Sequence, residues 1–114
     1  MVTVTLAQPP VKIAPFPLVA VEAKLRDELV EAVKIEASIR GIALPSVPAN
    51  ISKASVHVDS LVVVSILCAV EPIVGFELPE SVVRAGGYAS VDNALDHLLP
   101  RLEKEWTKRK GPKS

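Results

Sequence analysis

Between Leu18 and Ala37, the apolar residues Leu18, Val21, Leu25, Leu29, Val33 and Ala37 recur at intervals of three or four. That spacing gathers them on one stripe of an α-helix and does not suit a strand, whose side chains alternate. Glu22, Arg26 and Asp27 lie off the stripe, and Glu36 and Arg40 follow towards its far end. Gly41 is placed to close the helix with a left-handed cap. A stripe of this length has to be covered by the rest of the chain. With 114 residues there is room for one core. Only Phe16, Phe76, Tyr88 and Trp106 are aromatic, so that core must be built from Val, Leu, Ile and Ala.

Two further helices are predicted. Asp59 can N-cap a helix from Ser60 to about Val70, with Val63, Ile66, Leu67 and Val70 on its buried face. Leu61, Val64 and Cys68 fall on another face, and Pro72 is expected to bend or end the helix. Ser90 can cap the last helix, whose stripe is Val91, Ala94, Leu95, Leu98 and Leu102, continued by Trp106. Pro100 predicts a kink in it. Between these helices, residues 42–58 form a long connection whose Ile42, Leu44, Val47, Ile51 and Val56 are expected against the core. Residues 75–89 leave room for one short helical turn at Glu80–Arg84. The prolines at 9, 10, 15 and 17 predict an extended arm over 1–17, with Val2–Leu6 alternating as a short strand would. The expected organisation is an arm over 1–17, a helical bundle over 18–107 and a basic tail over 108–114.

Composition narrows the function classes. Lys and Arg balance Asp and Glu, so the chain lacks the overall basic charge usual in a nucleic-acid binder. The neutral total conceals an acidic middle and a basic end. A single cysteine, Cys68, excludes an internal disulfide, and with two histidines it leaves few metal ligands. No apolar run is long enough for a membrane span, and the N-terminal segment lacks the basic start of a signal peptide. A cytoplasmic location is the expectation. His57, Asp59 and Ser60 are too close in sequence to read as a catalytic triad, whose members come from distant segments.

The most informative motif is Asp59-Ser60-Leu61, set where the long connection meets the second helix. Glu77-Leu78-Pro79 follows, then Ser90-Val91 and the stripe ending in Leu98, while Gly41 ends a helix upstream. In these features, residues 20–106 resemble the acyl carrier protein family, whose modified serine lies in an Asp-Ser-Leu motif at the start of the second helix. The resemblance implies an all-α four-helix bundle of three longer helices and a short third one. It implies a covalent 4′-phosphopantetheine on Ser60, carrying acyl groups as thioesters in fatty-acid, polyketide or related acyl metabolism. Asp59 would assist through the Mg²⁺ that accompanies coenzyme A. The implied partners are a phosphopantetheinyl transferase and acyl-transferring or acyl-activating enzymes, docking on Leu61, Val62, Val64, Cys68 and Glu71. The chain itself would not be an enzyme.

The sequence also departs from the family pattern. His57 stands where a glycine usually precedes the Asp, and two residues are inserted within the Arg84–Tyr88 region. Val62, Ser65 and Pro72 occupy positions that are usually acidic, leaving Glu71 as the acid of this face. Docking is therefore expected to depend on apolar contact more than on charge. The alternative reading is an unmodified, carrier-like interaction protein whose apolar second helix pairs with itself, as a weak homodimer.

Overall fold

The computed structural model describes residues 15–110. The long amphipathic stripe folds into α1, Leu18–Arg40. Val21, Leu25, Leu29, Val33 and Ala37 are buried along it, while Leu18, at its exposed first position, is not. Each fully buried aliphatic side chain contributes roughly 1.5–3 kcal/mol before entropy is counted. At its C-terminal end, Gly41 takes φ 70°, and the N–H groups of Gly41 and Ile42 donate to the carbonyls of Ser38 and Ala37. That pair of bonds satisfies two carbonyls the helix would otherwise leave open.

The connection that follows contains a four-residue helical turn, α2, Pro48–Ile51, which the sequence reading did not anticipate. Pro48 opens it at a position where a missing N–H costs nothing. Ile51 and Val56 are buried and Leu44 is half-buried, as expected of this connection, whereas Ile42 and Val47 are exposed. Then come α3, Ser60–Val74, a 3₁₀ turn at Glu80–Val82, and α4, Val91–Lys110. The described chain is all-α, with three long helices. The short third helix implied by the resemblance is one 3₁₀ turn, and the described residues hold no fourth helix of substantial length. Among the described residues the only bridge of β type joins Val58 and Tyr88.

α1 runs antiparallel to both α3 and α4. At its start, Phe16 meets Trp106 near the end of α4. At its end, Glu36 and Arg40 lie beside Asp59 and Val62 at the start of α3. Midway, Arg26 donates to the Ser52 hydroxyl (3.0 Å) and to the Glu22 carboxylate (3.0 Å), and also reaches Asp92 (3.5 Å). The Asp92 N–H donates to the Ser52 carbonyl, so one guanidinium joins α1, the α2 turn and α4.

α3 ends two residues after Pro72, at Val74, and α4 continues past Pro100 to Lys110. Each proline removes the bond to the carbonyl four residues earlier, at Cys68 and Asp96. Both of those residues are exposed, so water can solvate the freed carbonyls. α4 also continues through Lys110, so the first residues of the expected basic tail are helical. Most of the predicted arm, including Val2–Leu6, and residues 111–114 lie outside the described residues.

Candidate functional site

The approach to α3 is an extended segment in which burial alternates. Val56 and Val58 are buried, and His57 and Asp59 are exposed. Val58 is fixed by two backbone bonds to Tyr88, its N–H donating to the Tyr88 carbonyl (2.8 Å) and its carbonyl accepting from the Tyr88 N–H (2.9 Å). The pairing requires Gly87. It sits at φ +89°, and a Cβ there would lie 2.1 Å from the Val58 oxygen, well inside contact distance. The close backbone approach ahead of Asp59 is thus supplied by a glycine from another loop, while position 57 carries a histidine.

Asp59 has extended backbone, and its carboxylate accepts from the Leu61 N–H (3.3 Å). It is the N-cap read from the sequence. Its carbonyl accepts from the Val63 N–H. Of the first-turn donors of α3, those of Ser60 and Val62 are left without a partner among the described residues. Ser60 is the first residue of α3 and is half-buried rather than freely exposed. A shallow hollow of ≈ 50 Å³ beside it is lined by Glu36 and Arg40 of α1 with His57, Val58, Asp59 and Val62. No hydrogen bond links His57, Asp59 and Ser60 among the described residues. No group of three His, Cys, Asp or Glu side chains is brought together there for a metal either.

The expected docking residues divide. Leu61 is 76% exposed, Val62 40%, and Cys68 is also exposed. Leu61 and Val62 line an open groove between α3 and α1 of ≈ 390 Å³, together with Ile35, Ala32, Glu28 and Glu31. Ile35, 59% exposed, was not anticipated as part of this face. Ala32, Ile35 and Ile39 are spaced three and four residues apart on α1, a second apolar row that was the available signal. Val64 is half-buried. Glu71 has a structural contact that the sequence did not announce. It is half-buried, and its carboxylate accepts the Leu78 N–H (2.9 Å), which ties the chain after α3 back onto the helix.

Behind the Val58–Tyr88 pairing, the phenol of Tyr88 is buried and connects two elements. It accepts from the Arg84 N–H (2.9 Å), and its oxygen lies 2.7 Å from His97 Nδ1 on α4. Its own proton can then go to the neutral imidazole. Burial pushes the Tyr88 phenol above its usual value, against the opposing influence of Arg84 and Arg101. Burial, and then the charges of Arg101 and Arg84, hold His97 below the usual imidazole value.

Compared with known proteins, the chain matches no family model, no curated protein and no solved structure. Among the described residues no helix is long and apolar enough to cross a membrane.

Proposed function

We propose that this protein is a divergent acyl carrier protein, carrying acyl groups on a 4′-phosphopantetheine arm attached to Ser60. The observation that carries the reading is the placement of Asp59-Ser60-Leu61, with Asp59 capping α3 and Ser60 at its first position. The order of elements supports it as well: three long helices, with the 3₁₀ turn at Glu80–Val82 in the place of a short third helix.

The residues present suit the group. Two unpaired N–H groups and the positive end of the α3 dipole favour a phosphodiester at Ser60. In the modification step, Ser60 Oγ forms a bond to the phosphorus that bears pantetheine. The phosphoanhydride bond of coenzyme A breaks, and adenosine 3′,5′-bisphosphate leaves. The hydroxyl proton passes to a base of the transferase. Asp59, exposed beside Ser60, would help hold the Mg²⁺ that neutralises the diphosphate. The arm supplies a thiol that bears the acyl group. The chain then acts as a cytoplasmic tether, and partner enzymes perform the catalysis. Leu61, Val62 and Ile35 offer those enzymes an apolar contact beside the arm.

The same three side chains favour a second reading, an unmodified protein that pairs through this groove with a copy of itself. Intact mass after incubation with coenzyme A and a broad-specificity phosphopantetheinyl transferase separates the two. A phosphopantetheine adduct that is absent from Ser60→Ala is the expected result. No adduct with any transferase, together with dimerisation lost in Val62→Glu, would establish the second reading in place of the first.

A further inference from the structure

The cations of α1 and those of α4 are used differently. On α1, Lys24, Arg26, Lys34 and Arg40 each pair with a carboxylate three or four residues away on the same helix. On α4, Arg101, Lys104 and Lys108 follow at spacings of three and four and share one face. Among the described residues, Arg101 and Lys104 have no carboxylate partner, and Lys108, itself exposed, pairs with one half-buried carboxylate, Glu105 (3.4 Å). These residues line a groove of ≈ 260 Å³ whose other wall is Ser81 and Val82 of the 3₁₀ turn. Arg84 extends the positive charge, with its guanidinium held over the Tyr88 ring at 5.4 Å and its own charge unpaired among the described residues.

We propose that this groove docks an acidic segment of a partner protein. Three cations and one carboxylate line it, and no ion pair among the described residues neutralises Arg84, Arg101 or Lys104. The shape and lining select among anionic partners. The groove presents no exposed apolar side chain for insertion into a lipid surface, since Val82 is buried. It presents no exposed aromatic ring on which a base could stack, since Tyr88 and Trp106 are buried. From Arg101 to Lys108 the helix rises about 10 Å, which about three extended residues span. A short run of Asp and Glu fits that length, with the Ser81 hydroxyl at the opposite wall. The polarity is the reverse of the acidic carrier face that the family resemblance implies, and the site stands whether or not Ser60 is modified.

The test uses a short fluorescein-labelled peptide of alternating glutamate and aspartate, titrated with the full chain at low salt and followed by fluorescence polarisation. Binding should weaken as salt rises, and weaken at least about ten-fold in the double variant Arg101→Gln/Lys104→Gln. The control Lys24→Gln/Lys34→Gln removes the same charge from α1 and should bind as the wild type does. Carbodiimide coupling of the peptide to the unaltered protein gives an independent readout, with adducts expected on Lys104 and Lys108. No binding, equal loss in both double variants, or adducts on Lys24, Lys34 or Lys53 would overturn the proposal. So would tighter binding to phosphatidylserine vesicles or to single-stranded DNA than to the peptide.

Discussion

At one end of the bundle the three long helices are held together by rings. Trp106 of α4 packs edge-on against Phe16 ahead of α1 (5.9 Å between centroids) and beside Phe76 after α3 (6.4 Å), and the Arg109 guanidinium lies over Phe76. At the other end, which carries Ser60, the restraint is mostly backbone: the Val58–Tyr88 pair, the Gly87 approach, and the caps at Gly41, Asp59 and Ser90. Ring packing stabilises by area and tolerates small displacements. Backbone pairing holds a short segment in one geometry, which the proposed modification of Ser60 would need more than bulk stability.

Three perturbations set the two ends against each other. Trp106→Ala empties the ring cluster and should lower the unfolding free energy by about 3–5 kcal/mol, read by urea denaturation. Modification of Ser60 in the remaining folded protein should stay near the wild-type rate. A rate loss matching that of a variant at the other end would erase the distinction. Gly87→Ala should cost less in stability, about 2–3 kcal/mol from the strained φ and the Val58 contact, yet slow modification of Ser60 in the folded protein. Equal rates for Gly87→Ala and wild type would show that the pairing does not position Ser60.

The smallest effect comes from pH. The folded imidazole of His97 titrates below its ordinary 6.5, so the unfolded chain binds the proton first. Its contribution to stability is present above pH 6.5 and is lost as pH falls through the folded value. Protonation also turns Nδ1 into a donor, leaving the Tyr88 proton without its acceptor. Stability measured across this range should fall with acid in the wild type, and fall less in His97→Phe. Identical profiles would remove His97 from the account of this end.

The helical part of this architecture was legible because it is periodic. Five of the six residues picked from the α1 stripe are buried, as are Val63, Ile66, Leu67 and Val70 of α3 and the whole α4 stripe through Trp106. The caps at Gly41, Asp59 and Ser90 were legible because each depends on one local residue type. What escaped was long-range. Nothing at Val58 announces Tyr88 as its partner, because a single bridge between loops has no repeat to read. The pair Gly86-Gly87 was the available signal, since a glycine in a loop often marks a close backbone approach. Likewise, Glu71 was assigned to partner docking by the family resemblance, and nothing in the sequence announced that its carboxylate also serves a backbone N–H seven residues on. The proline readings gave the bonds lost at Cys68 and Asp96 but not where each helix stops, because both residues are exposed and solvent can reach their carbonyls.

Glu71 and Val58 together also bear on how α3 moves. The bond from Leu78 to Glu71 anchors the chain leaving the helix, and the two bonds between Val58 and Tyr88 anchor the chain entering it. A helix terminus ordinarily opens by itself, one residue at a time, at little free-energy cost. Ahead of the first turn of α3, the chain is stitched to a loop from another part of the molecule. Displacing that segment requires breaking both backbone bonds to Tyr88. Under the proposed function, a transferase acting on Ser60 would meet one shape rather than an ensemble of frayed ones.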